Sequence, residues 1–260
     1  MVDYFFHSQL TRGVVECALA ALLSFAVVLL VRRRGVNLLA ELPLAQLRGI
    51  AQILAVGAIL EWMLHGSQWL SLLVLAGMML AAASIVRRRA KRIPRAFTLA
   101  LMSICAGAGS VLALMTALGV IPLKVAMLVP VGSMVIAQTM NMQSIFLDRL
   151  RGEIASHVGE IESALALGAS PDIALGRYLR AAYRASLIPS LDNVRSLGIV
   201  WIPGIMAGMV LSGASPVYAA LYQFVVLTTI FSAAALTCLV SSYLVTGRVF
   251  TANEQLLLRG

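Results

Sequence analysis

Charge is scarce in this sequence. Asp, Glu, Lys and Arg make up 12% of its 260 residues, where a soluble chain carries about 25%. Apolar residues reach 60% and mean hydropathy is +0.93. A water-soluble domain of this size could not hide so much apolar surface, so that class is excluded. Lysine is scarcer still. Only Lys91 and Lys124 occur, and neither follows a glycine. No G-x-x-x-x-G-K-[ST] phosphate loop exists, so any ATP-driven step belongs to another polypeptide. The three cysteines, Cys17, Cys105 and Cys238, lie in apolar runs without C-x-x-C pairing or zinc spacing. They read as small buried hydrophobes. The apolar runs contain no Asp and no Ser–His pairing, which argues against an intramembrane protease. Ionisable groups near mid-run are almost lacking as well, which argues against an ion-coupled secondary transporter.

Long apolar runs are what the sequence has instead. A spanning helix needs about 20 such residues. Seven stretches qualify: 13–31, 45–64, 69–86, 96–118, 121–145, 197–214 and 217–246. Arg32-Arg33-Arg34 follow the first run rather than preceding it, so that run reads as a span and not as a cleavable leader. The formal net charge is +9, and its cations cluster between runs rather than along a nucleic-acid-binding face. With the N-terminus outside, 18 of the 20 basic residues fall on the cytoplasmic side, leaving only Arg12 and Lys124 outside. The expected fold is an all-α, polytopic membrane helix bundle of about seven transmembrane helices. Its N-terminus lies outside and its C-terminus is cytoplasmic. Residues 1–260 form one transmembrane domain in the inner (plasma) membrane, with a cytoplasmic helical hairpin at about 146–196.

That hairpin is legible in the pattern. Leu147, Leu150, Ile154, Val158, Ile161 and Leu165 fall on one helical face, opposite Asp148, Arg151, Glu153, Glu160 and Glu162. The fifth run should therefore continue as an amphipathic helix until Gly168 stops it. Ser170 is placed to cap a second helix and Pro171 to open it. Arg177, Arg180 and Arg184 then share a stripe, and Pro189 is expected to end the helix. The hairpin reads either as a lever for a partner protein or as a surface helix pair touching anionic lipid.

Within the membrane, Pro130, Met134, Gln138 and Asn141 step round one face of the fifth span. Polar groups at that depth face a bundle interior or a cavity. The stripe is a candidate translocation path, with Pro203, Met206 and Gln52 opposite; the alternative is simple hydrogen bonding between helices. Met134, Met140, Met142, Met206 and Met209 could offer thioethers to a metal or serve as packing filler. Gly204-x-x-x-Gly208 suits close helix packing, within the bundle or between two copies. Pro203 beside it could act as a gating kink.

Several segments resemble the FetB-like permease family, which includes bacterial iron-export permeases and plant aluminium-sensitivity membrane proteins. They are Arg48-Gly49-Ile50-Ala51-Gln52, Ile121-Pro122, Pro130-Val131-Gly132-Ser133-Met134, Leu167-Gly168-Ala169-Ser170-Pro171, Arg180 to Pro189 with Asp192, Gly198 to Gly208, and Tyr222-Gln223. Glu162-Ser163-Ala164-Leu165-Ala166-Leu167-Gly168 is similar to the coupling loop of ABC-transporter permeases. Where that family has Gly-Asn, this chain has Ala137-Gln138. The resemblance implies the membrane-spanning permease subunit of an ABC transporter. It implies a homodimer exporting iron or another metal ion, or another small solute such as a nucleotide sugar. It also implies a separate FetA-like ATPase that binds the ATP and Mg, with no cofactor in this chain. Glu162, Gly168, Ser170, Pro171, Arg177, Arg180 and Arg184 would then carry the coupling.

Overall fold

The computed structural model describes residues 9–35, 39, 41–64, 69–90, 93–251 and 255–257. His7, Lys91, Arg92, Arg259 and residues 65–68 lie outside the described residues. The structure is nearly all helix. Six helical stretches among the described residues are long and apolar enough to cross a membrane. The molecule divides into two compact units, Met1–Gly66 and Ser67–Gly260.

The first unit is a helical hairpin of α1 (Gln9–Arg32) and α2 (Glu41–Leu64). The Gln46 amide of α2 donates to the Ser24 hydroxyl of α1, a polar tie between otherwise apolar helices. At the start of α1, Arg12 pairs with Glu16 at 3.0 Å. Most described side chains of both helices are exposed within this unit, Cys17 included.

The second unit is built on α3 (Trp69–Arg89), α6 (Val125–Ser156) and α10 (Pro216–Val249). Between α3 and α6, one continuous stretch comprises α4 (Ala96–Ile104), a π-helical turn (Cys105–Gly109) and α5 (Ser110–Ala117). This stretch runs antiparallel to α10. Arg248 near the end of α10 donates to the Arg95 carbonyl at 2.7 Å and to the Thr98 hydroxyl at 3.1 Å. Eleven residues back along α10, Thr237 faces Gly107 of the π turn so closely that no side chain fits between them. Leu75 packs on Gly132 in the same way, bringing α3 against α6. The core includes Ile104, Ala108, Val135, Phe146, Leu150, Ile154, Ala234 and Cys238.

Three boundaries differ from the sequence expectation. The run at 197–214 is not a spanning helix: only α9 (Gly204–Leu211) is helical there, about 12 Å long at about 1.5 Å per residue. Gly198 adopts φ +75° and its N–H donates to the Trp201 carbonyl, which closes a tight turn. Pro203 has no N–H to continue a helix, so it stands at the N-cap of α9 in an extended conformation. The amphipathic continuation of α6 also breaks, at His157. The imidazole Nδ1 lies 2.8 Å from the Glu153 carbonyl and, protonated there, takes the bond that the His157 N–H would have made. That N–H donates to Ile154 instead, and α7 (Val158–Ala166) starts afresh. Finally, Pro189 does not end the second hairpin helix, since α8 runs Pro171–Arg195. The carbonyl it leaves unbonded is that of Ala185. Both residues line a cavity of about 670 Å³ between α6 and α8, and α8 continues past it.

Candidate functional site

The hairpin of α7 and α8 is a rigid attachment to the bundle. Its turn closes with the Gly168 N–H on the Leu165 carbonyl and the Ala169 N–H on the Ala164 carbonyl, at 2.9 and 3.0 Å. That paired pattern needs a left-handed residue, and Gly168 supplies it at φ +89°. Ser170 occupies the N-cap of α8 and Pro171 its first turn, though the serine side chain makes no capping bond. Behind the turn, Ala174, Leu175, Tyr178, Ala182, Ser186 and Ser190 are buried. They seat α8 against both α6 and α10. Tyr183 donates to the Ala235 carbonyl at 3.2 Å, and Ser186 lies 3.7 Å from the Cys238 sulfur. Burial pushes the Tyr183 phenol above its usual range, with Cys238 adding to the effect.

The outer face of the hairpin carries the arginines. Arg177, Arg180 and Arg184 are all exposed, Glu162 is half-buried, and Gly168 stands clear at the tip. Arg177 pairs with Glu160 of α7, donates to the Tyr178 hydroxyl at 2.6 Å and lies over the Tyr178 ring. The phenol in turn donates to Glu160 at 3.1 Å, and its ring rests against His157 with centroids 4.9 Å apart. The bond to Tyr178 and the nearby Glu160 hold the Arg177 pKa above its ordinary value. Sequence reading missed this link between α7, α8 and the break after α6. Glu160 and Arg177 are 17 positions apart and share no helical period.

The four residues of the intramembrane stripe stay together on α6. Pro130 and Gln138 are half-buried, while Met134 and Asn141 are exposed. Val131, Val135, Thr139, Met142 and Gln143, on the other side of the helix, are buried. Within the second unit, then, Asn141 is exposed and Gln138 half-buried on one face of a membrane helix. Pro203 is buried and Met206 half-buried, but α9 packs chiefly on α10. Gln52 is exposed on α2 in the first unit. A Cβ added at Gly204 or Gly208 would meet nothing within 4 Å. No other helix of the second unit therefore packs closely on this pair. Among the described residues, no three His, Cys, Asp or Glu side chains gather to hold a metal.

A second polar set escaped the sequence reading. Gln143, on the opposite face of α6 from Asn141, is fully buried and donates to Ser241 of α10 at 2.8 Å. Gln223, Thr139 and Thr237 are buried too, without hydrogen-bond partners among the described residues. Their signal was present, since amides and hydroxyls in apolar runs are conspicuous. Only the choice of face was open.

Residues 14–250 match the family described as "Uncharacterised protein family (UPF0014)". The chain is 32% identical over 222 residues to "UPF0014 membrane protein YjkA" of Bacillus subtilis, covering 83% of this chain and 87% of that protein. It is 30% identical over 256 residues to "Protein ALUMINUM SENSITIVE 3" of Arabidopsis thaliana, covering 98% and 93%. It is 29% identical over 241 residues to "Probable iron export permease protein FetB" of Escherichia coli, covering 92% and 93%. No solved structure matches. With a family match across nearly its whole length and six helices able to span a bilayer, this chain belongs to UPF0014, a family of multi-pass membrane proteins.

Proposed function

We propose that the chain is the permease subunit of an ABC-type exporter of iron or another metal ion, worked by a separate ATPase that binds ATP and Mg. The observation that carries this reading is the seating of the hairpin. α8 is buried against α6 and α10 at once, while its tip and its arginine face are free to be gripped. A push on the turn at Gly168 is thus delivered to α6, the helix that bears Gln138 and Asn141. A chain without a phosphate loop needs such a contact with an external motor.

Two copies would form the path. The exposed Asn141 and half-buried Gln138 of α6 point to this, as does the irregular stretch at 198–203. Ile199, Val200 and Ile202 are well exposed there. Non-helical backbone is tolerated at membrane depth only where protein or a water-filled cavity covers it. A second copy, with Gly204 and Gly208 at the contact, would supply that cover. The chain would cross the membrane seven times, six times as helix and once through this broken segment, with its N-terminus outside.

The test is reconstitution with a FetA-like ATPase in liposomes, following metal efflux and ATP hydrolysis. Wild type should show metal-stimulated hydrolysis and ATP-dependent efflux. Gln138→Leu should abolish efflux while leaving complex assembly intact. Efflux by the permease alone, with no second protein present, would overturn the proposal.

A further inference from the structure

A cavity of about 510 Å³ opens between the end of α3 and the middle of α6, lined by Arg88, Arg89, Ser144, Ile145, Asp148 and Arg151. The two helices run side by side in the same direction. Leu75 meets Gly132 near their starts, and Arg88 and Ile145 share the cavity near the other end. Ser144 lies about 29 Å along α6 from Val125 at about 1.5 Å per residue. The hydrocarbon core of a bilayer is about 30 Å thick. The cavity therefore opens at the depth of the lipid headgroups, on the side to which the arginine clusters belong.

Its charge is unbalanced. Asp148 is engaged by Arg151 at 3.4 Å. Arg88 and Arg89 have no ion-pair partner among the described residues, and both are exposed. The Ser144 hydroxyl is occupied by the Met140 carbonyl at 2.8 Å, so the guanidinium groups are the free donors. Planar guanidinium forks suit the paired oxygens of a phosphate. The space far exceeds one phosphate group and falls in the range of about 300–1,000 Å³ used for organic ligands. Half-buried Ile145 adds an apolar wall, as a headgroup joined to acyl chains would need.

We propose that this cavity binds the phosphodiester headgroup of an anionic phospholipid, held by Arg88 and Arg89 with Arg151 at the rim. A lipid seated there ties α3 to α6 at the inner end of the helix that bears Gln138. The site does not depend on the cargo or on the ATPase.

The full chain is placed in phosphatidylcholine nanodiscs, and phosphatidylglycerol is titrated in while thermal midpoint and lipid retention are followed. Inorganic phosphate in the same nanodiscs is the second arm. Phosphatidylglycerol should raise the midpoint of the parent protein, and phosphate should not. Arg88→Gln with Arg89→Gln should keep the parent midpoint in pure phosphatidylcholine and retain phosphatidylglycerol about thirtyfold more weakly. Arg33→Gln with Arg34→Gln, which removes equal charge from the first hairpin, should retain it normally. Equal losses in the two double variants would reduce the effect to diffuse surface charge and overturn the site. An undiminished response in the Arg88/Arg89 variant would overturn it too. If phosphate matched the lipid, the ligand would be a free anion and the lipid assignment would fall.

Discussion

Gly107→Ala is the sharpest single perturbation of this bundle. A Cβ at Gly107 would sit 1.9 Å from the Thr237 hydroxyl oxygen, 2.6 Å from the Thr237 backbone nitrogen and 2.8 Å from its Cα. Rotating the threonine relieves only the first contact. The other two are main-chain atoms of α10, so the helices must separate by close to 1 Å to reach ordinary contact distance. Ala233, Ala234, Cys238 and Ser241 are fully buried along the same stretch and would lose packing together. Overpacking of a tight core costs about 1–3 kcal/mol, and a backbone-to-backbone clash belongs at the upper end, near 3 kcal/mol. Thermal unfolding in detergent should show a midpoint lowered by roughly 6–12 °C. Gly152→Ala is the control, because its Cβ would meet nothing within 4 Å. Adding Thr237→Ala to Gly107→Ala should not restore stability, since the main-chain atoms remain. A Gly107→Ala protein that melts with the parent, or rescue by Thr237→Ala, would refute this account of the crossing.

Ser241→Ala should destabilise by about 1 kcal/mol in the same melting assay, because it leaves the buried Gln143 amide without its acceptor. Gly168→Ala should cost about 1–2 kcal/mol with no steric clash, because the space is open and the strain lies in φ +89°. Gly168→Asn, which tolerates that region better, should recover part of it. Pro203→Ala should reduce ATP-dependent efflux without lowering the thermal midpoint. Unchanged efflux would remove any gating role from the break before α9.

Much of the architecture was legible because a bilayer asks for length and apolarity, and both are visible residue by residue. The caps of the hairpin were legible for the same local reason: Gly168 and Pro171 each have one conformational use there. The broken segment before α9 was not, because a hydropathy window weighs Ile199, Val200 and Ile202 without registering that Gly198 turns and Pro203 cannot donate. His157 misled in another way. Apolar spacing carries the Ile154 pattern unbroken into Ile161, and only a ring nitrogen taking a backbone carbonyl interrupts it. For the candidate site, spacing grouped Pro130, Met134, Gln138 and Asn141 on one face of α6. It could not rank that face against the one holding Gln143, since both carry amides in an apolar run. Nor could it reveal the Glu160–Arg177–Tyr178 link, which exists only once α7 folds back on α8.

The π turn at Cys105–Gly109 also sets a rule for length. Such a turn holds one residue more than the α turn it replaces. Each residue advances a helix by about 100°. Deleting one residue between Cys105 and Gly109 would heal the backbone into uninterrupted α-helix. The wider turn absorbs the rotation of its extra residue, so Leu112, now buried, would keep facing the core. Length and apolar pattern are thereby uncoupled: a relative that lacks the extra residue keeps its α5 contact side chains on the same face, each one number earlier than in this chain.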